Sequence, residues 1–482
     1  MISRRTPTPT PWIRVAALAL TALALTACEG DGAKEQPGKG ATPTATASSP
    51  SAATTAAAAS AAATAAAAGT ASPAIPQGEP PAVPGAAEAK KYAGAKITFY
   101  GDAVASDNDK IMAKKFTEDT GIEVAVVPRP RDATETYATY QRLFQAKSAD
   151  VDVVMLDVIW PSAFADKLLD LGPKLGEAAK AHIQSIVQNN TVDGKLVAIP
   201  WYTDFAMLYY RADLLQKYGY SKPPETWDEL EQMAKKIQEG EKPQSASFTG
   251  FVFQGKAYEG LTCNALEWIY SHGGGLILDG KKPAVNNPQV QKALQRAKGW
   301  IGTISPAGVT GYEEEDGRNA FQGGNAVFMR NWPYAYSAGN VDGSPIKGKF
   351  DVAPLPHEPG QKSGGTIGGW QLGVSKFSKS PDAAVEFVRY LASPESQKFR
   401  AVQKSLIPTI TSVQADPEVV KALPFLAKTK DTSLIARPSN TAGGRYNEVS
   451  IAFFQGVSQV LQGEEPAKVL PQIEQRIERA LR

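Results

Sequence analysis

The sequence predicts an α/β fold in which the strands of a mostly parallel sheet alternate with helices. From Lys96 onward, short apolar segments rich in β-branched and aromatic residues alternate with longer segments of helical periodicity. The first predicted strands and helices lie, in chain order, at residues 96–100, 107–120, 122–127, 133–147 and 152–156. Helices in this rhythm cover both faces of a sheet, and ligands bind beyond the carboxyl ends of its strands.

The composition limits the classes of function. The chain has 482 residues and a formal net charge of +2, so we expect no nucleic-acid partner. Its two cysteines and three widely spaced histidines form no metal-ligand pattern, so we expect neither a metal site nor a cofactor. Without the unusual N-terminus about 390 residues remain, enough for two or three units that each bury a core.

Residues 1–27 have the pattern of a lipoprotein signal peptide. Arg4, Arg5 and Arg14 precede an apolar run, residues 15–27, that is too short to span a bilayer comfortably. The run leads into Leu-Thr-Ala-Cys, which resembles a bacterial lipobox with Cys28 as the lipidated residue. An ordinary signal peptide with a cysteine nearby by chance is the alternative. A lipid on Cys28 would tether the protein to the membrane at one end.

Residues 28–95 are predicted to be a disordered tether. Alanine, threonine, proline, serine and glycine dominate this stretch, which has too little apolar bulk to bury. Such a segment holds a folded body away from a surface.

The most informative stretch is residues 195–215, KLVAIPWYTDFAMLYYRADLL. We predict one strand at residues 196–202 and a second at 205–210, interrupted by Thr203 and Asp204. A carboxylate between two strands and beside aromatic rings suits a polyhydroxylated ligand, because acids bind hydroxyls and rings cover the apolar face of a sugar. A strand break with a solvated acid and two core aromatics explains the stretch equally well.

The remaining chain contributes further predicted elements. A capping-box pattern starts a helix at Thr226, and a long apolar helix at residues 258–272 carries Cys263 as a buried thiol. The other predicted strands lie at residues 248–254, 325–329 and 372–374. The other predicted helices lie at residues 211–218, 287–302, 317–321, 381–392, 394–403, 417–427, 447–462 and 466–481.

Acids and aromatics at the ends of these elements are the candidate binding groups. Asp107, Asp132 and Asp157 follow predicted strands, and helix capping explains the first two at least as well. Further aromatic and polar candidates are Trp201, Tyr202, Asp204, Asn331, Trp332, Tyr334, Gly369, Trp370 and Gln371. Arg437 could offer a planar donor fork to hydroxyls, or it could be an ordinary surface arginine. Phosphate-binding loops, nucleophile elbows and metalloprotease helices have no matching motif here.

Several segments resemble one known family, the extracellular solute-binding proteins of family 1, especially the trehalose/maltose-binding lipoproteins of ABC importers. The segments that carry the resemblance are residues 152–160, 196–218, 221–228, 253–259, 330–334, 352–357 and 368–371. They occur in family order through nearly all of residues 96–482.

The resemblance implies a two-lobed, periplasmic-binding-protein-like α/β fold (type II), with a hinge between the lobes and the ligand in the interlobe cleft. Lobe 1 would comprise residues 96–203 and about 366–409, and lobe 2 residues 204–365 and about 410–482. The ligand-binding residues that the resemblance implies are Asp107, Asp157, Tyr202, Asp204, Trp332, Tyr334, Gly369, Trp370 and Arg437. Asp107 stands in a loop, residues 105–109, that departs from the family pattern, as does the loop at residues 129–132.

The implied function is capture of an α-linked disaccharide and its delivery to a permease, with permease and ATPase subunits on separate chains. The protein would be an extracytoplasmic, lipid-tethered monomer and not an enzyme. One alternative is a lipid-anchored glycoside hydrolase that uses two of Asp107, Asp157 and Asp204. Others are a binding protein for another solute and a surface adhesion module.

Overall fold

The computed structural model describes residues 78–482, which form a mixed α/β fold. The strands are β1 (Lys96–Gly101), β2 (Glu123–Pro128), β3 (Val153–Asp157), β4 (Thr191–Val192), β5 (Lys195–Leu196), β6 (Ile199–Phe205), β7 (Met207–Arg211), β8 (Thr249–Val252), β9 (Leu278–Asp279), β10 (Lys282–Pro283), β11 (Ala326–Asn331), β12 (Phe350–Ala353), β13 (Gly364–Val374), β14 (Ile407–Pro408) and β15 (Ser433–Ile435). The predicted signal peptide, Cys28 and most of the predicted tether lie outside the described residues.

Helices flank these strands along the whole described chain. They are α1 (Ala86–Ala89), α2 (Ser106–Thr120), α3 (Ala133–Gln145), α4 (Pro161–Phe164), α5 (Gly172–Ala179), α6 (Gln184–Asn189), α7 (Ala212–Lys217), α8 (Trp227–Glu241), α9 (Glu259–Ser271), α10 (Pro288–Trp300), α11 (Glu314–Gln322), α12 (Tyr334–Gly339), α13 (Pro381–Leu391), α14 (Pro394–Lys404), α15 (Thr411–Gln414), α16 (Pro417–Ala422), α17 (Phe425–Lys428), α18 (Ser439–Ala442), α19 (Tyr446–Leu461) and α20 (Pro466–Ala480). Within residues 78–482, no helix has the length and apolar character needed to cross a bilayer.

Two main sheets organise the described residues. The larger has the order β14-β6-β13-β3-β1-β2, and β15 also pairs with β13. Only β1 with β2 and β3, and β13 with β15, are parallel there, because β13 runs antiparallel to both β3 and β6. The smaller sheet has the order β12-β7-β11-β8. The prediction of strands alternating with helices is confirmed, but the large sheet is less parallel than predicted.

The chain passes from the large sheet to the small one at Ala206. Strand β6 runs through Thr203 and Asp204 to Phe205, and β7 begins at Met207. The predicted interruption at Thr203 and Asp204 was therefore wrong. Both residues are paired with β13, and the local sequence does not show that a distant strand supplies these partners.

Residues 78–95 are part of the folded body, which corrects the predicted C-terminal boundary of the tether. Helix α1 lies within this segment, and Val83 and Ala89 are buried. The backbone N–H of Val83 donates to the Asp119 carboxylate, and the Tyr390 hydroxyl donates to the Pro81 carbonyl oxygen. These contacts fix the segment against helices α2 and α13. The predicted limits of the two lobes remain a prediction.

The helices bury apolar side chains against both sheets. Against the large sheet, Phe99, Phe116, Trp201 and Phe387 form edge-to-face contacts with centroid separations of 5.0–5.9 Å. The predicted capping box at Thr226 and Glu229 is present at the start of α8, and Cys263 is a buried free thiol in α9. Local sequence signals therefore located most helices correctly.

Candidate functional site

Three neighbouring strands of the large sheet place an acid and two aromatics in one row. Trp370 of β13 pairs with Asp157 of β3 on one side and with Tyr202 of β6 on the other. Asp204, two residues along β6, pairs with Gly368. Residues directly opposite each other on adjacent strands share a face of the sheet, as do residues two apart. These side chains and Trp332 are called the acid–aromatic cluster below: Asp157, Tyr202, Asp204, Trp332 and Trp370.

Glycines in β13 allow the close approach on which the cluster depends. Gly369 has a φ of 112°, and a Cβ there would lie 2.6 Å from both the Thr203 Cα and the Tyr202 carbonyl oxygen. A Cβ at Gly368 would lie 3.1 Å from the Trp332 ring, so the indole rests directly over this strand. Side chains at either position would separate β13 from β6 or from Trp332.

Trp332 joins the cluster from the small sheet, where it follows strand β11. One face of its ring carries the Arg330 guanidinium, 4.1 Å from the ring centroid. Arg330 is itself fixed by a fully buried ion pair, in which its Nε and Nη2 donate to the Glu267 carboxylate. The indole N–H of Trp332 donates to Glu314 Oε1 at 3.4 Å. These contacts hold the ring in place before any ligand arrives.

Tyr334 lies at the start of α12 and packs beside the same core as Tyr202. Its hydroxyl donates to Glu315 Oε1 at 2.7 Å. Burial raises the pKa of Tyr334 well above its ordinary value, and the adjacent acids Glu315 and Glu314 add to the rise. The hydroxyl therefore stays protonated at any physiological pH and acts as a hydrogen-bond donor.

Arg437 holds Asp157 from a loop 280 residues away in sequence. Its Nη2 donates to Asp157 Oδ1 at 2.6 Å, and its Nη1 donates to Asp157 Oδ2 at 3.1 Å and to Glu259 Oε1 at 3.0 Å. The Tyr446 and Ser450 hydroxyls also donate to Glu259. Paired guanidinium–carboxylate contacts of this kind fix both groups, so Asp157 presents its carboxylate in one orientation.

Asp204 is the least satisfied acid of the cluster. The residue is 8% exposed, and its Oδ1 is buried without a hydrogen-bond partner among the described residues. Burial raises the pKa of Asp204 well above its usual value, and the negative charges of Asp102 and Asp157 raise it further. A buried carboxyl oxygen without a donor is stabilised when a ligand supplies one.

Asp102 is a cluster neighbour that the sequence did not single out. It follows β1 directly, and its carboxylate accepts hydrogen bonds from the Val104 and Ala105 backbone N–H groups and from the Tyr202 hydroxyl at 3.0 Å. The predicted acid of this loop, Asp107, instead lies in the first turn of α2, where its side chain is 56% exposed and 3.7 Å from Lys404. The signal that could have identified Asp102 is its position directly after a strand.

Arg129 is the second group that sequence reasoning left without a role. It follows β2, and its guanidinium lies 3.8 Å from the centroid of the Trp370 ring. Trp160 meets the same indole edge-on, with a centroid separation of 5.6 Å. Asp132, three residues further on, caps helix α3 by accepting from the Thr134 and Glu135 N–H groups. Capping, one of the two explanations considered for Asp132, is confirmed.

Contacts near the cluster also join the segments of the two sheets. Lys256, which follows β8 of the small sheet, lies 3.0 Å from Asp132 Oδ2 and also pairs with Glu313. The backbone N–H of Glu259 donates to Thr134 Oγ1 at 3.2 Å. Within residues 78–482, no group of three or more histidines, cysteines or acids is arranged to hold a metal ion.

The cluster thus combines acids, hydrogen-bond donors and half-buried rings where the two sheets meet. The family model of the bacterial extracellular solute-binding protein matches residues 103–398. The chain belongs to this family. A Deinococcus radiodurans protein named "Probable ABC transporter-binding protein" is 51% identical over 371 residues, which cover 76% of this chain and 88% of the relative.

Solved structures of solute-binding proteins share the fold. Maltose-bound MalE3 of T. maritima matches with a TM-score of 0.74 and 39% identity, over 80% of this chain and 99% of that chain. A solute-binding protein of an ABC transporter from Thermotoga lettingae, bound with alpha-D-tagatose, matches with a TM-score of 0.73 and 24% identity, over 81% and 100% of the two chains. The α/β fold of this chain is therefore the two-lobed fold of these solute-binding proteins, as the resemblance implied.

Proposed function

We propose that this protein is the substrate-binding component of an ABC importer and captures an α-linked disaccharide of the maltose or trehalose type. The single observation that carries the proposal is the unpaired, buried oxygen of Asp204 beside Tyr202 and Trp332. Such an oxygen needs a donor, and rings beside it suit the apolar faces of a sugar. The likeness to maltose-bound MalE3 at 39% identity supports a disaccharide as the ligand.

Binding would act through closure of the two lobes. Asp157, Tyr202 and Trp370 belong to the large sheet, whereas Trp332 and Tyr334 follow strand β11 of the small one. A ligand that touches both groups stabilises the closed arrangement by the difference between its affinities for the closed and open forms. A permease on a separate chain would then recognise the closed form. Gly369 acts by keeping β13 close to β6.

The proposal also includes the location of the protein in the cell. A lipid on Cys28 would tether the protein outside the cytoplasmic membrane, with the Ala/Thr/Pro/Ser-rich segment as a spacer. Replacement of Cys28 with serine should release the protein from membrane pellets into the soluble fraction, and a variant that stays with the membranes would count against the lipid anchor. The folded body acts as a monomer in this proposal.

The raised pKa of Asp204 is also a property of acid catalysts, so hydrolysis needs a direct test. Its neighbour Asp157 has both oxygens held by Arg437, which leaves it poorly placed to serve as a nucleophile or base. We therefore propose binding without covalent chemistry.

Calorimetry with maltose, trehalose, maltotriose and galactose tests the proposal. We expect stoichiometric binding of a disaccharide by the parent protein. Trp370→Ala and Asp204→Ala should each weaken it by about threefold to tenfold, the effect of losing one well-made hydrogen bond or ring contact. Chromatography of the incubated sugars should show no cleavage. Binding of none of these sugars would overturn the disaccharide proposal, and released monosaccharide would identify an enzyme.

A further inference from the structure

Arg129 is a buried cation without an acidic partner. The residue is 8% exposed, and within residues 78–482 no carboxylate forms an ion pair with it. Nη1 donates to the carbonyl oxygens of Pro130 and Arg131 at 2.9 and 3.3 Å, whereas the buried Nε has no hydrogen-bond partner. A buried charge without such a partner is costly, because it has lost its hydration. An acceptor supplied by a ligand would offset part of that cost.

Arg129 lies on the same side of the large sheet as Asp204, the acid with the unpaired oxygen. Its guanidinium stacks on Trp370, which pairs with Tyr202, and Asp204 follows Tyr202 by two residues on the same face. Two residues along a strand correspond to about 7 Å, which is the spacing of Tyr202 and Asp204 along β6.

Arg129 and Asp204 both influence the ionisation of Tyr202. Burial raises the pKa of Tyr202 well above its ordinary value. Among the charges that act on it, Asp102 and Asp204 raise the pKa, whereas Arg400 and Arg129 lower it. Arg129 and Asp204 therefore both act on this one hydroxyl. The site holds an unsatisfied donor, Arg129 Nε, and an unsatisfied acceptor, Asp204 Oδ1.

We propose that Arg129 is a ligand-binding residue that donates to an oxygen of the same sugar whose hydroxyl donates to Asp204. A hydroxyl-rich neutral ring can satisfy both groups, because each hydroxyl is a donor and an acceptor. A cationic ligand would meet the unpaired positive charge of Arg129. This inference rests on the proposed function, and it disfavours cationic solutes as ligands.

The test compares Arg129→Met with a matched control, Arg131→Met, in the same loop, where Arg131 is exposed. With maltose and trehalose as probes, Arg129→Met should raise the Kd by about 10-fold to 100-fold, the usual effect of losing a hydrogen bond to a charged group. Arg129→Lys should recover only part of this loss, because an ammonium lacks the planar fork. Arg131→Met should bind as the parent does.

Monodeoxy analogues of the bound disaccharide distinguish a direct contact from a structural role. In the parent, one analogue should bind more weakly than the complete sugar. In Arg129→Met, the same analogue and the complete sugar should bind with the same Kd, because the oxygen that the analogue lacks is the one that Arg129 contacts. Equal penalties in the parent and in Arg129→Met for every analogue would overturn the inference while leaving the proposed function intact. A parent that binds neither sugar would overturn both.

Discussion

At the scale of single residues, the site contains groups that burial holds in unfavourable states. The raised pKa of Asp204 means that the folded protein keeps a proton that the unfolded chain, with a pKa near 3.8, has lost. Unfolding therefore becomes easier as the pH rises from about 4 toward the folded-state pKa of Asp204. An acid that costs stability and is nonetheless held beside Tyr202 and Trp332 is typical of a binding site.

Asp204→Asn tests this cost. The amide cannot ionise, so the unfolding free energy of the variant, relative to that of the parent, should increase as the pH rises from about 5 to 8. Urea titrations at several pH values measure the difference. Asp107→Asn is the control, because its side chain is 56% exposed and its effect should stay within about 0.5 kcal/mol at every pH. A difference for Asp204→Asn that does not vary with pH would contradict the raised pKa.

The individual residues show what sequence could and could not reveal. In the sequence, Asp157, Tyr202, Asp204, Trp332 and Trp370 stand at or beside the ends of predicted elements. The structure brings all five together, and their contacts with a ligand remain a prediction. Asp102 and Arg129 occupy comparable positions in the sequence, because each directly follows a strand. Their roles depend on partners up to about 240 residues away, such as Tyr202 and Trp370, and no local pattern records such pairings.

At the scale of elements, strand β13 is the common scaffold of the site. It pairs with β3, β6 and β15, and Gly368 and Gly369 form its closest approaches to the small sheet and to β6. The sequence predicted only residues 372–374 of this strand, because four glycines in the range 364–369 lower the strand propensity of the part that carries the site.

The variants Gly369→Ala and Gly368→Ala distinguish the packing of β13 against β6 from its contact with Trp332. Gly369→Ala should destabilise the fold by more than about 2 kcal/mol, because its Cβ would lie 2.6 Å from backbone atoms of β6 at a φ unsuited to alanine. Gly368→Ala meets only the Trp332 ring and Asp204 Cβ, so it should fold but bind sugar more weakly. Melting temperatures and calorimetry measure the two effects. Equal stability of the two variants would contradict the close approach at Gly369.

Helix α9 and strand β11 share the buried ion pair that supports Trp332. Glu267→Leu should cost about 3–5 kcal/mol of unfolding free energy, because it leaves the fully buried Arg330 charge unpaired. The double variant Glu267→Leu/Arg330→Met should recover most of that stability, and yet bind sugar weakly, because Trp332 has lost the guanidinium behind its ring. A double-mutant cycle of urea unfolding measures the effect on stability, and calorimetry on the double variant measures the effect on sugar binding. Additive stability losses would show that the ion pair does not couple the elements.

At the scale of the whole molecule, two contacts beside the cluster join helix α3, which follows strand β2 of the large sheet, to the segment that follows strand β8 of the small sheet. They are the pairs Thr134–Glu259 and Asp132–Lys256. In the first pair, Thr134 contacts only a backbone N–H. Lys256 lies outside the cluster, and it joins Asp132 to Glu313, so it is suited to stabilising the closed arrangement without touching the ligand.

Lys256→Met should therefore shift the protein toward more open forms. The Lys256 side chain is 38% exposed, so the bridge contributes at most about 1 kcal/mol, which corresponds to a rise in the Kd for sugar of up to about fivefold. The ligand-free radius of gyration from small-angle scattering should increase, and the difference in Kd between parent and variant should shrink in high salt, which screens the bridge. Lys222→Met is the control, because Lys222 pairs only with Glu225, three residues away. A variant with unchanged scattering and unchanged affinity would show that Lys256 does not stabilise the closed arrangement.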